Sequence, residues 1–305
     1  MAIISFWSIS RKVTGQSLSM AAVMTSMAVD HNMKILGIST EFNDTTLESG
    51  FFDVEKEKKR MIELQKSRQL INNIPGMEGM GMPITGGKLD SGIEGVIKII
   101  NSKRITDQIV KDYTKVVFKD RLDILPSPSA ANYDVYKETV SKAKDVVELA
   151  DKEYNMVFVD VDKDLPKEYA RDILSISDIV MINLTQGTKQ LEEFLKLKKT
   201  DDLFKKNNIL MLLGKFDRFS KYNTKNITRY LKLKKEICAI PYNTLFFEAA
   251  MDAQVADYFL RYRDMKDETD RNKIFINEAK RTCDEIVTKL DELRLSKMSE
   301  QIQKG

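Results

Sequence analysis

The segment FWSISRKVTGQS, residues 6–17, holds the side chains best suited to meet a phosphate. An apolar run ends at Trp7-Ser8, a polar loop with the single glycine Gly15 follows, and helical spacing begins after it. A phosphate loop works by aiming backbone N–H groups and a helix N-terminus at anionic oxygens. Glycine lets the backbone come close, a lysine adds charge, and the hydroxyl after it meets magnesium. Here Gly15-Gln16-Ser17 stands in the place of Gly-Lys-Ser/Thr. Ser17 keeps the hydroxyl, Gln16 can donate hydrogen bonds but carries no charge, and Arg11 or Lys12 could replace it. The candidate nucleotide contacts are Arg11, Lys12, Val13, Thr14, Gly15, Gln16, Ser17 and Leu18. Taken alone, the segment is a weak signal, and an ordinary strand-loop-helix is the favoured reading of it.

Four more strand ends carry suitable residues. The run MVFVD ends in Asp160, which either organises a magnesium ion and its waters or caps the next helix. Glu41 lies just past the run KILGI, at the carboxyl edge where open α/β sheets bind ligands, or is an exposed loop glutamate. The run NILMLL leads into GKFD, with Lys215 and Asp217 placed as in an Asn-Lys-x-Asp base-recognition element that has lost its Asn. Pro241, Tyr242 and Asn243 follow the run ICAI at the same edge. The concurrence at five strand ends weighs more than any one of them. It assigns Glu41 and Asp160 as candidate catalytic groups, and Ser17 and Asp160 as candidate magnesium ligands.

These positions require a particular scaffold. Short apolar runs at 2–7, 34–38, 115–118, 121–126, 156–161, 178–184, 208–213 and 237–241 show no strict alternation, as expected of strands buried on both faces. Stretches with helical spacing, such as 132–150, 166–176 and 187–199, separate several of them. This order predicts an α/β fold with a doubly wound, mostly parallel sheet and helices on both faces. We expect a nucleotide-binding domain over 1–265 and a helical extension over 266–305. The latter has apolar residues at Ile274, Ile276, Ala279, Ile286, Leu290 and Leu293, and its mixed charges favour packing on the domain over lying on a membrane. Residues 74–92 hold six of the 13 glycines, with Met77, Met80 and Met82, and read as a surface loop or a partner contact.

Composition narrows the classes. The net charge of +3 argues against a nucleic-acid binder by bulk charge, though not against a local patch. Two cysteines, Cys238 and Cys283, point to a reducing cytoplasm. One histidine, His31, makes a Cys/His metal site or a Ser-His-Asp triad a poor fit. The start MAIISFW has no basic region or long apolar core, so no secretory signal is expected, and no apolar run is long enough to span a bilayer.

The motif order resembles the MinD/ParA-like branch of P-loop ATPases, over nearly the whole chain. FWSISRKVTGQS, RLDILPSP, YNMVFVDVD, DIVMINLTQ and IPYNTLFFEAAMDAQVADYFLR carry the resemblance. TadZ/CpaE-like proteins, whose phosphate loops often lack the lysine, look most similar. The resemblance implies ATP and magnesium as ligands and two subunits facing one another across two nucleotides. A loop lysine reaches across that interface in much of the branch, and Arg11 or Lys12 is the nearest candidate. It places Glu41 where an aspartate orients the attacking water, and Asp160 on the strand-end aspartate near the magnesium. The chain departs from the branch in having one glycine in the loop, Gln16 for lysine, Glu41 for aspartate and Asn155 before the strand. With its first strand beginning at residue 2, the N-terminal receiver-like domain of many TadZ-like proteins is not expected. Losing one contact that stabilises transition-state charge costs ~3–4 kcal/mol, or ~10²–10³ in rate. A switch or pseudo-ATPase with weak or absent hydrolysis is therefore expected.

Residues 215–235 contain eight Lys/Arg and one acidic residue, interleaved with Phe219, Tyr222 and Tyr230. Lys221, Lys225, Arg229, Lys232, Lys234 and Lys235 form either a basic strip for non-specific DNA contact or a solvated helix face whose aromatics pack on the core. The partner classes are a second copy of the chain, a protein machine or polar or membrane site that it positions, and DNA that it segregates. A metabolic relative using ATP in chemistry has least support, because no cysteine pair or metal cluster is present to supply it.

Overall fold

Each of the eight apolar runs forms a strand in the computed structural model, which describes residues 1–10, 13–60, 62–63, 92–103 and 108–304. Arg11, Lys12 and all of the 74–92 segment except Gly92 lie outside the described residues. The strands are β1 Ala2–Ser8, β2 Ile35–Ser39, β3 Lys115–Phe118, β4 Leu122–Leu125, β5 Met156–Asp160, β6 Ile179–Leu184, β7 Ile209–Phe216 and β8 Cys238–Pro241. They make one sheet in the order β3-β4-β2-β5-β1-β6-β7-β8. Every pairing is parallel except β3 with β4. Parallel strands need crossovers that lay helices on the sheet, so both faces are covered and β2, β4, β5 and β6 are buried throughout. The exception is β3, a hairpin strand at the sheet edge with Val116 53% exposed. The apolar run KVVF reads as buried, but its place at the edge leaves one side without a cover.

Helices α1 Gln16–Asp30 and α2 Thr46–Ser49 follow β1 and β2, and α3 Ile93–Asn101 precedes β3. Helices α4 Tyr133–Val140 and α5 Ala143–Glu153 join β4 to β5, α6 Lys167–Ile176 joins β5 to β6, α7 Thr188–Thr200 joins β6 to β7, and α8 Thr224–Tyr230 joins β7 to β8. Helices α9 Thr244–Met251, α10 Val255–Tyr262 and α11 Arg271–Lys304 come last. One core lies between the sheet and α3 to α8. The other joins α1, α9, α10 and α11 to the opposite face. Helix α1 is enclosed by β-sheet and by α11, so nearly every turn is buried, which explains its small, uncharged sequence SLSMAAVMTSMA. The long terminal helix buries Phe275, Ile276, Ala279, Cys283, Ile286 and Leu290 in this core. The Cys283 thiol donates to the Val23 carbonyl of α1 at 3.2 Å. Among the described residues no helix is long and apolar enough to cross a membrane.

Where β7 passes the loop after β1, the two backbones touch. A Cβ on Gly214 would lie 2.0 Å from the Thr14 carbonyl oxygen and 3.1 Å from the Ser19 hydroxyl. Only glycine fits between strand and loop, and the obstacle is main chain that cannot rotate away. We expect Gly214→Ala to lower stability by about 1–3 kcal/mol, the range for overpacking, measured by urea unfolding. A loss below about 0.5 kcal/mol, the range of neutral surface changes, would contradict the contact.

Candidate functional site

Successive strand residues face opposite sides, so in β5 Phe158 and Asp160 share the face that looks toward α1. Asp160 thus lies beneath the start of α1 rather than at the rim, fully buried. The loop above it ends at Gly15, held at φ +67°, the left-handed region that glycine adopts without strain. Gly15 is the N-cap of α1. No side chain caps this helix and its first turn has no acidic residue. Its first-turn N–H groups therefore retain their capacity for an anion. By contrast α4, α8 and α9 are each capped by an asparagine side chain, Asn132, Asn223 and Asn243.

The Gln16 side chain turns down into the sheet. Its Nε2 donates to Asp160 Oδ1 at 2.5 Å, to the Val161 carbonyl at 3.0 Å and to the Phe6 carbonyl at 3.1 Å. Sequence reasoning gave Gln16 to the phosphates, but its amide is committed to the ends of β1 and β5. Burial pushes the Asp160 carboxyl up to about 6, while the Ser17 hydroxyl and the Gln16 amide draw it down and Asp162 raises it further. Asp160 Oδ2 is buried and meets no partner with hydrogen-bond geometry among the described residues, although Ser17 lies beside the carboxyl.

A pocket opens above this layer. Ser8, Gly15, Gln16, Ser17 and Leu18 line it from the first strand-loop-helix, and Glu41, Asp44 and Thr46 from the segment after β2. Asp162 and Lys163 line it from beyond β5, and Lys215 from β7. Thr40 knits the β2 and β5 ends together. Its hydroxyl donates to the Asp160 carbonyl at 3.0 Å and accepts from the Asp162 N–H at 2.9 Å, and its carbonyl accepts from the Tyr136 hydroxyl at 2.6 Å. This fixes Glu41 and Asp162 on the same wall. Oxygen donors dominate, and among the described residues no group of three metal-ligating side chains exists. That set suits magnesium, which takes one or two protein oxygens and completes its octahedron with phosphates and water. Of the two candidate ligands, Ser17 lines the pocket, whereas Asp160 lies fully buried beneath it, beside Ser17 and with Oδ2 unpartnered, and would act on an ion from below.

The structure separates the other candidates. Val13 is exposed and Thr14 is buried beneath the loop. Lys215 and Asp217 part company. Lys215 reaches the pocket, whereas Asp217 is bound on both sides of its peptide by Gln186, which accepts from its N–H at 2.8 Å and donates to its carbonyl at 2.9 Å. Pro241, Tyr242 and Asn243 do not line the pocket. The Asn243 side chain accepts from the Phe246 N–H at 2.9 Å and donates to Asn272 Oδ1 at 3.0 Å, a cap and a tie to α11. In the basic strip, all six candidates are exposed. Lys235 is neutralised by Glu292 at 3.0 Å and Glu285 at 3.8 Å. Phe219 is 83% exposed with Arg218 over its ring, so this aromatic is not held in the core. Sequence reasoning missed Ser8, Asp44, Thr46, Asp162 and Lys163. The Asp-x-Asp spacing of 160 and 162 was a usable signal, and the others had none.

No family model and no curated protein sequence matches the chain. Solved structures do match in fold. A ParA family ATPase from Chlorobium tepidum has a TM-score of 0.62 at 15% identity, covering 91% of this chain and 98% of that one. The septum site-determining protein MinD of Pyrococcus horikoshii, complexed with Mg-ADP, has a TM-score of 0.58 at 13% identity, covering 91% and 94%. MinD in the Aquifex aeolicus MinC:MinD complex has a TM-score of 0.55 at 14% identity, covering 92% and 95%. The eight-stranded, mostly parallel sheet is thus the MinD/ParA P-loop NTPase fold.

A carboxyl raised from 3.8 to about 6 by folding binds its proton more tightly in the folded chain. Its contribution to stability is full below the unfolded value and is lost as pH rises through about 6, by ~3 kcal/mol in all. Asp160→Asn removes this dependence. The variant should gain on the wild type by ~2–3 kcal/mol between pH 4 and pH 7 in denaturant unfolding. Parallel pH profiles for the two proteins would contradict the burial argument.

Proposed function

We propose that the chain is an ATP-dependent, dimerising switch that positions or assembles a cellular machine, in the manner of TadZ- and MinD-like proteins. The observation that carries this is the uncapped start of α1 at Gly15, opening with Ser17 into a pocket at the carboxyl ends of four strands. Backbone N–H groups there receive phosphate oxygens, and Ser17 with Asp160 receives the magnesium ion that accompanies them. Bound magnesium supplies charge neutralisation at the phosphates. Glu41 stands on the wall where it can orient a water, and Asp160 is held by Gln16 below.

Hydrolysis is weak or absent. Gln16 contributes a neutral amide that is already hydrogen-bonded within the sheet, so it adds no charge to a transition state. Binding suffers less, because the backbone donors and Ser17 remain. Mg-ADP in MinD of Pyrococcus horikoshii and the MinC partner in the Aquifex complex support the nucleotide and the protein-partner readings. Arg11 or Lys12 reaches across to the second subunit. The protein acts in the cytoplasm and is recruited from there to a pole, a membrane site or the nucleoid.

A second reading, ParA-like partition of DNA, is favoured by the exposed Lys221, Lys225, Arg229, Lys232 and Lys234 beside exposed Phe219. Random duplex DNA separates the two. Affinity that falls steeply with salt supports partition, and its absence at low salt favours positioning.

In light scattering with MgATP, the wild type should double in mass. The double variant Arg11→Ala/Lys12→Ala should remain monomeric, and phosphate release should stay near background. Unchanged mass and no MgATP binding at millimolar concentration would overturn the switch.

A further inference from the structure

We propose that Lys215, from β7, supplies the positive charge to the phosphates of a bound nucleoside triphosphate that Gln16 of the loop does not. The inference rests on the nucleotide reading above and deepens it.

The local backbone aims this lysine. The pairing of β7 with β8 shifts register between Leu213 and Phe216, and Lys215 sits within the irregularity at φ +50°. A bulge re-aims a side chain out of its alternating place on the sheet. A non-glycine residue in the left-handed region costs energy and persists only where the surroundings hold it. The surroundings here are the phosphate loop itself, pressed against Gly214 through the Thr14 carbonyl.

The side chain then lies across the loop. Its Cγ and Cε are each 3.0 Å from the point where a Cβ on Gly15 would stand. The missing side chain of Gly15 is the lane in which the lysine stem rests. The ammonium is one bond beyond Cε, beside the start of α1, and Lys215 lines the same pocket as Ser17. Among the described residues Lys215 makes no ion pair and its ammonium no hydrogen bond. Lys115 and Lys235 are paired, with Glu48 at 2.7 Å and Glu292 at 3.0 Å, whereas Lys163 in the same pocket makes no ion pair among the described residues but does not lie across Gly15. A strained residue, a glycine cleared beneath its stem and an unpaired cation over a helix N-terminus together fit an anion. A phosphate chain, with Ser17 alongside for its magnesium, is the anion that uses all of them.

Calorimetry with MgATP, and separately with magnesium tripolyphosphate, tests this on the full chain. Lys215→Met should weaken both by tenfold or more, and Lys215→Arg should keep most of the affinity. Lys215→Gly, which relieves the left-handed strain, should raise the melting temperature of the ligand-free protein while weakening MgATP, a split that a structural lysine would not produce. If Lys215→Met binds both ligands like the wild type, the inference falls and the nucleotide reading stands. If it weakens MgATP but not tripolyphosphate, the lysine serves the base and the inference falls. If the wild type binds neither ligand, the nucleotide reading fails and takes the inference with it.

Discussion

A single side-chain amide holds the site together. Gln16 reaches from the first turn of α1 to the Phe6 carbonyl, the Val161 carbonyl and the Asp160 carboxylate, and so ties the carboxyl ends of β1 and β5 to the helix between them. The loop after β1 is strung over this brace. Its other edge is fixed by the meeting of Thr14 and Gly214. A neutral donor in that place has a consequence for charge. Asp160 is fully buried, and its nearest partners are an amide and a hydroxyl rather than a cation, so its carboxyl is held up near 6 by burial. The floor of the site is therefore an acid in want of positive charge, beneath a helix start that invites negative charge. A magnesium-bound phosphate chain meets both demands at once.

On the proposed nucleotide reading, the same brace would separate binding from turnover. A lysine in the loop serves the ground state and the transition state alike, and removing it takes away the stabilisation that grows as charge moves onto the phosphoryl oxygens. Backbone donors do not depend on it. On the proposed reading, what remains would sense a nucleotide more than consume one, with Lys215 at the rim as its cation.

Much of this was legible in the sequence, for reasons that can be named. All eight strands were, seven of them because parallel strands leave short apolar runs set between longer helical stretches, and the antiparallel edge strand β3 because its run KVVF is apolar as well. Ser17, Glu41 and Lys215, expected at one edge from the loop or segment that follows each run, do line one pocket. The direction of Gln16 was not legible, since one rotamer serves a phosphate and another the sheet, and only the depth of Asp160 decides between them. Asp217 and Asn243 carried the right residue types, yet the Asp217 carboxylate accepts from the Phe219 N–H and the Asn243 side chain caps the first turn of α9, local hydrogen bonds that leave no mark on spacing. The aim of Lys215 came from a register shift with a strand more than twenty residues later in the chain, which no local pattern encodes.

The most direct measurement is amide hydrogen exchange of the loop and first turn of α1, residues 13–18, with and without saturating MgATP. The account predicts slowed exchange at Gln16, Ser17 and Leu18, whose N–H groups have no partner within the helix, while the core of β6 is unchanged. Equal exchange in the two conditions would contradict it.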